Sequence, residues 1–500
     1  MMELILNGLQ AVFTAGNLLL IIGGTALGII FGSVPGLTAT MAVALCLPAT
    51  YAMNSTSAMC LLVGLYIGGI SGGLVSAVLL KIPGTPSSIA TTFDGNPMAE
   101  RGEAGKALST GIWASFLGGF LSFCVLFFVA PALANVAVRF TPYDYFSVIL
   151  FSLTMISSLS GNNLKKGIMA GMLGIFLSFV GGDPIDGKVR FTFGIASLDG
   201  GFATLPVVIG LFAVTEVFDT AKNAFGLKHE TKVNYELGNS RLRWTDIKDQ
   251  GINFIRSWAI GLGIGILPGI GGGVSNLISY TTSKKQSPHP EKYGTGCVDG
   301  IIASETANNA TIGGALVPLL ALGIPGDAIT AVLIGAFMIH GISPGPLLFT
   351  TEKALVYAIF AAIMVANAAM LVLMLAGKRM FTRILRVPRH ILLPLVLAVC
   401  VIGAYGNNNR MFDVYVVLIF GVIGLTLKHF GYPVAPMVMG MILGTNLEQY
   451  YRRSLMFSNG SFMPFLTHPI SAFFLVICAV SIIMTVLRQQ KIIKNREKGS

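Results

Sequence analysis

The charged residues of this chain lie in short clusters, and the long stretches between those clusters carry none. No Asp, Glu, Lys or Arg occurs between Glu3 and Lys81, Lys106 and Arg139, Arg256 and Lys284, or Lys353 and Lys378. A helix crosses the hydrocarbon of a bilayer with roughly 20 apolar residues, and each of these runs supplies that many. A soluble domain carries about 25% charged residues to cover its surface. This chain has 11%, against 54% hydrophobic. Backbone groups in lipid need partners within the segment itself, which a helix provides. The sequence therefore reads as an all-α integral membrane protein with about 10–12 transmembrane helices.

The charge that remains is placed like an anchor. Lys378, Arg379, Arg383, Arg386 and Arg389 form a cluster without an acid, and Arg488, Lys491, Lys494, Arg496 and Lys498 stand near the end with only Glu497. Such clusters mark the cytoplasmic face and account for the net charge of +11 without nucleic acid. The six Cys are scattered without metal-ligand spacing, so no cofactor and no metal beyond a sodium ion is expected. The opening MMELILNGLQAVFTAGN lacks the basic start of a signal peptide, and the first helix is expected to be retained.

Two halves share an internal pattern. Gly28-Ile-Ile-Phe-Gly-Ser-Val-Pro-Gly36 aligns with Gly261-Leu-Gly-Ile-Gly-Ile-Leu-Pro-Gly269, with four identities in nine positions. The stretch from Gly72 to Gly84 aligns with that from Gly314 to Gly326, with seven in thirteen. The polar insert around Thr281–Gly296 explains the wider spacing between the breaks of the second half. This gives a first repeat half over 1–218, a polar linker over 219–250, a second repeat half over 251–487 and a basic cytoplasmic tail over 488–500. The halves are pseudo-symmetric, and an inverted topology is expected.

Each half carries two Pro-Gly breaks: Pro35-Gly36 and Pro83-Gly84, then Pro268-Gly269 and Pro325-Gly326. Pro removes a backbone donor and Gly weakens a helix. The freed polar groups are tolerated in a membrane only where protein or a water-filled cavity satisfies them. Paired breaks in corresponding positions point to a transporter's midplane site. Backbone N–H groups at a half-helix start, helped by hydroxyls, hold an anion without a buried base. The candidate substrate groups are Gly36, Thr38, Thr40, Gly84, Thr85, Ser87 and Ser88, with Gly269, Gly271, Gly272 and Ser275 as their counterpart.

Between Lys292 and Glu352 the acids are Asp299, Glu305 and Asp327, with no Lys or Arg and one His, His340. An ionisable group inside a membrane is a functional candidate by default. Glu305, Asn308 and Asn309 share one helical turn and, with Asp327, offer hard oxygens for a coupling Na+ or a proton.

These same strings resemble the large membrane subunit of the tripartite tricarboxylate transporters. The similar stretches are Pro35-Gly-Leu-Thr-Ala-Thr-Met-Ala42, Ile82-Pro-Gly-Thr-Pro-Ser-Ser-Ile-Ala-Thr-Thr-Phe-Asp-Gly95, Ala303-Ser-Glu-Thr-Ala-Asn-Asn-Ala310, the run from Gly313 to Asp327, and His340-Gly-Ile-Ser-Pro-Gly-Pro346. The resemblance implies a secondary transporter subunit, not an enzyme, in the bacterial inner membrane. It implies a periplasmic solute-binding protein that delivers the substrate, a small membrane subunit as partner, and an ion gradient that drives uptake. Tricarboxylates such as citrate, or related carboxylates, are the substrates it implies. By analogy with other broken-helix carriers, one bundle would move against a scaffold to expose the site alternately. A channel built on the same Gly-rich breaks is the alternative. A membrane hydrolase would need a nucleophile–base pair, which His340 and Glu305 with assorted Ser do not make.

Overall fold

A computed structural model describes residues 2–34, 37–154, 164–224, 248–268, 271–384 and 408–497, with 394, 397–398, 400–402 and 404–405. The elements are almost all helices. In chain order they are α1 Met2–Val12, α2 Ala15–Ser33, α3 Ala39–Thr50, α4 Ser55–Leu80, α5 Thr91–Glu100, α6 Ala104–Ala137, α7 Pro142–Thr154 and α8 Leu164–Ser178. A two-stranded hairpin follows, β1 Gly181–Gly182 and β2 Val189–Arg190. Then come α9 Thr204–Val208, α10 Thr215–Ala224, α11 Gly251–Ile266, α12 Gly271–Gln286, α13 Val298–Leu322 and α14 Ala328–Ile339. The remainder are α15 Leu348–Thr351, α16 Lys353–Ile384, α17 Met411–His429, α18 Val434–Phe457, α19 Met463–Thr467 and α20 Pro469–Glu497. Among the described residues, α2, α4, α6, α16 and α17 are long and apolar enough to cross a membrane. The chain is an all-α integral membrane protein.

Packing divides the chain into two compact units, Met1–Ala134 with Phe212–Arg410, and Asn135–Leu211 with Met411–Ser500. Each unit takes residues from both sides of the 219–250 linker, most of which lies outside the described residues.

In the first unit the repeat is visible as equivalent packing. The two central helices are α4, buried without interruption from Ala58 to Leu79, and α13, buried from Gly300 to Ala321. These are matching positions, and helices apolar on every side belong in an interior. α2 lies against α4 and α11 against α13 through glycines that let backbones touch. A methyl group on Gly28 would meet the Leu65 carbonyl oxygen at 2.4 Å, and one on Gly261 would meet that of Ala307 at 2.3 Å. Gly28 and Gly261 are repeat partners, as are Leu65 and Ala307.

The ends of the central helices repeat as well. Lys81 ends α4 in a left-handed conformation at φ 57°, and Gly323 ends α13 at φ 72°. α3 and α14 have 12 residues each, about 18 Å of helix, too short to cross alone. They are half-helices, as the Pro-Gly breaks before them require.

In the second unit, α8 packs on α18 around a core that includes Ile149, Leu153, Met439 and Leu443. The hairpin is pinned to α18 by ion pairs. Arg190 grips Glu448 with two bonds of 2.7 Å, and Arg452 reaches Asp183 and Asp186 at 2.5 Å each. A bidentate Arg–carboxylate pair fixes orientation as well as distance.

Candidate functional site

The candidate site lies in the first unit, where α3, α5, α12 and α14 approach the two central helices, α4 and α13. Helix α12 packs on the Pro86–Ser88 turn, and α14 packs on α3. Each half thus places its first half-helix on the second break of the other half. Pro35, Gly36, Gly269 and Ile270 lie outside the described residues, so Gly36 and Gly269 cannot be placed. Gly84, Thr85, Ser87 and Ser88 are buried.

The two second breaks close in the same way. The Thr85 amide donates to Ser88 Oγ at 3.3 Å, and that hydroxyl donates to the Thr85 carbonyl at 2.9 Å. The Asp327 amide donates to Thr330 Oγ1 at 2.8 Å, and that hydroxyl reaches the Asp327 carbonyl at 2.9 Å. Thr85 matches Asp327 and Ser88 matches Thr330 in the repeat. Asp327 adds a true cap for α14, because Oδ1 accepts from the Thr330 amide at 2.7 Å. Its Oδ2 accepts from the Tyr66 phenol at 2.6 Å.

Glu305 is wholly buried on α13. Its Oε1 accepts from Thr91 Oγ1 of α5 at 2.5 Å, and Oε2 accepts from Ser115 Oγ of α6 at 3.1 Å and from Asn308 Nδ2 at 3.3 Å. Among the described residues, Glu305 and Asp327 form no ion pair with a Lys, Arg or His. Hydroxyls and one amide carry the whole carboxylate of Glu305.

Asn308 uses its amide nitrogen on Glu305 and turns its carbonyl oxygen away. That Oδ1 is buried and has no hydrogen-bond donor. A methyl group on Gly272 would lie 3.1 Å from it, 2.8 Å from Ser87 Cβ and 3.5 Å from Ser87 Oγ. One on Gly271 would lie 3.7 Å from Asp327 Cβ. Gly271, Gly272, Thr85, Ser87, Asn308 and Asp327 are therefore neighbours, and Thr85 Oγ1 and Ser87 Oγ are 3.1 Å apart.

Other expected site residues are placed elsewhere. Asn309 turns from the carboxylate; its Oδ1 accepts from Ser71 at 2.7 Å and its Nδ2 bonds the Glu305 carbonyl. Ser275 sits between α12 and α13, 2.7 Å from Thr311 Oγ1. Thr38 caps α3 by accepting from the Met41 amide at 3.1 Å, and Thr40 is half-buried on the first turn of α3. His340 ends α14, and Asp299 accepts from Gln250 at 2.7 Å near the start of α13. Tyr66, Thr91, Ser115 and Asn276 complete the cluster without having been singled out in the sequence. Asn276 joins the halves by accepting from the Ala90 amide at 2.8 Å, and it ties α12 to α13 by donating to the Ser304 carbonyl at 3.2 Å. The signal for Tyr66 was present, as a polar aromatic inside a charge-free run.

Comparison with known proteins gives a consistent result. The Tripartite tricarboxylate transporter TctA family matches residues 18–439. The chain is 33% identical over 494 residues to an uncharacterized 52.8 kDa protein in the TAR-I ttuC' 3' region of Agrobacterium vitis, covering 97% of each chain. It is 35% identical over 224 residues to an uncharacterized protein in the TAR-II ttuC' 3' region of the same organism, covering 45% of this chain and 93% of that one. No solved structure matches significantly.

Proposed function

The chain belongs to the tripartite tricarboxylate transporter TctA family, and from that premise we propose that it carries organic anions across the bacterial inner membrane in symport with a cation. The anions are tricarboxylates such as citrate, or related carboxylates. A periplasmic solute-binding protein delivers them, a small membrane subunit accompanies this one, and a Na+ or proton gradient supplies the work.

The observation that carries this reading is the buried Glu305, held by Thr91, Ser115 and Asn308 with no base paired to it among the described residues. A substrate carboxylate about 4 Å from such a charge meets roughly 4 kcal/mol of repulsion at an effective dielectric of about 20. That is close to a thousandfold in affinity. A cation or proton arriving with the substrate removes the penalty, which makes the two binding events depend on each other. Anion binding alone is then weak, and cation binding alone leaves the site without its substrate. The substrate's carboxylates would meet the cation held beside the Thr85, Ser87 and Ser88 hydroxyls and the start of α12 at Gly271 and Gly272. Thr38 and Thr40 lie at the start of the other half-helix. Glu305 and Asn308 would hold the cation, with Asp327 beside them closed by the Tyr66 phenol. Asn309 and Ser275 shape the helices around it.

The test is uptake into proteoliposomes holding the complete system, with labelled di- and tricarboxylates on the binding protein and imposed Na+ or pH gradients. Uptake should need a gradient and the binding protein. Uptake that survives collapse of both gradients and omission of the binding protein defeats the proposal.

A further inference from the structure

The repeat relates two polar junctions that are built differently. In its register Tyr66 of α4 matches Asn308 of α13, and Thr85 matches Asp327. At one junction Tyr66 reaches across to Asp327, and its phenol closes the carboxylate at 2.6 Å. Tyr66 is 1% exposed. At the other junction the shorter Asn308 faces the Thr85–Ser87 turn, and its carbonyl oxygen has no donor although Asn308 is 1% exposed. The helix that covers this second junction presents Gly272 and Gly273, whereas the matching positions on α3 are Ala39 and Thr40.

A buried carbonyl oxygen left without a donor is costly, so such a group calls for an occupant. The neutral oxygens nearest such an occupant are Asn308 Oδ1, Ser87 Oγ beside the same face of Gly272, and Thr85 Oγ1, 3.1 Å from the Ser87 hydroxyl. The carboxylate of Glu305 lies on the other side of the Asn308 amide. Hard oxygens with negative charge nearby select a small cation over an anion.

We propose that the Asn308–Ser87 junction is a monovalent cation site, and that Tyr66 is the built-in replacement for a second cation at the Asp327 junction. The phenol O–H supplies to Asp327 the positive end of a dipole where the partner junction takes an ion. One cation per chain then binds at these junctions, and Tyr66 sets that number. This rests on the symport reading given above and specifies its stoichiometry.

The test is binding of 22Na+ to the purified full-length chain, counted per folded molecule. Wild type should bind at the Asn308 junction, and Asn308→Ala should weaken that binding by about tenfold or more. Asn308→Asp keeps an oxygen toward Ser87 but loses the amide donor to Glu305. Retained binding in the Asp variant with loss in the Ala variant assigns the effect to the oxygen, whereas loss in both overturns the site. Tyr66→Phe keeps the ring and removes only the hydroxyl, leaving Asp327 Oδ2 without its phenol donor. It should add one saturable Na+ per chain. An unchanged count in Tyr66→Phe overturns the role of Tyr66. Absence of saturable 22Na+ binding in wild type overturns the cation site, and gradient-driven uptake in the same preparation would still leave the transport reading standing.

Discussion

Thr91 on α5 donates to Glu305 on α13 across 2.5 Å, so the most deeply buried acid of the site is held by a hydroxyl from the other half of the repeat. The bond matters because, among the described residues, three side chains donate to the carboxylate, and Thr91 is the one on Oε1. Losing a hydrogen bond to a charged acceptor costs about 1.5–3 kcal/mol.

Glu305→Gln replaces one acceptor with a donor that must face Thr91, or Ser115 and Asn308. Transport should fall by about a hundredfold while the amount of assembled protein stays close to wild type. Thr91→Val should give a smaller loss, about tenfold or more. Uptake per assembled molecule, with yield read by size-exclusion profile, separates the two effects. Wild-type uptake in Glu305→Gln would remove Glu305 from the coupling site.

The ends of the central helices predict opposite outcomes for two substitutions. Lys81 holds a left-handed conformation, which costs a residue with a side chain roughly 1–2 kcal/mol. Lys81→Gly relieves this, offset by about 0.5–1 kcal/mol of chain entropy. The thermal midpoint in detergent should hold or rise slightly. Gly323→Ala should lower it clearly, because the new methyl would also meet the Pro344 carbonyl oxygen at 2.5 Å. Equal behaviour of the two variants would contradict the repeat equivalence of these caps.

The hairpin ion network gives a pH prediction. The amides of Asp186 and Ile185, and then the Arg452 guanidinium, hold the Asp183 carboxyl down from 3.8 to about 2. A lowered folded-state value stabilises above the unfolded value and is lost as pH falls toward the folded one. The hairpin should therefore stay pinned from neutral pH to about pH 4 and loosen between there and about pH 2. Hydrogen exchange of residues 181–190 reads this directly. Asp183→Asn should exchange faster at neutral pH, and equal protection in both proteins would mean that the ion pairs do not hold the hairpin.

Much of this architecture was legible because Pro and Gly act locally. A Pro-Gly in an apolar run interrupts a helix wherever it falls, so the breaks and their repeat could be read one residue at a time. Glu305 was legible for a similar reason, as a carboxylate where no base is near in sequence. Its partners were not. Most hydroxyls in apolar helices bond back to a carbonyl four residues earlier, as Thr25 does to Ile21 and Ser33 to Ile29. Thr91 and Ser115 look the same in the sequence and turn outward only because α5 and α6 bring them to α13. Ser275 is a candidate on the same kind of evidence, and its hydroxyl bonds both the Gly272 carbonyl at 3.0 Å and Thr311 of α13 at 2.7 Å. The compact units escaped the sequence as well, because long-range packing and not chain order draws their boundary.

Gly272 offers the sharpest test of where the site lies. Its position on the first turn of α12 does not require glycine for backbone reasons, since the left-handed residue there is Gly271, at φ 68°, and not Gly272. Ala is a better helix former by about 1 kcal/mol, so propensity alone would favour Gly272→Ala. The opposing effect is steric: the methyl would stand 2.8 Å from Ser87 Cβ and 3.1 Å from Asn308 Oδ1. Gly263→Ala on α11 is the control, because a methyl there meets nothing within 4 Å. Both variants should assemble. Gly263→Ala should transport like wild type, and Gly272→Ala should lose about tenfold or more, the scale of a displaced contact in a tightly built site. If the two variants transport equally well, the junction of Gly272, Ser87 and Asn308 is not where substrate or cation binds.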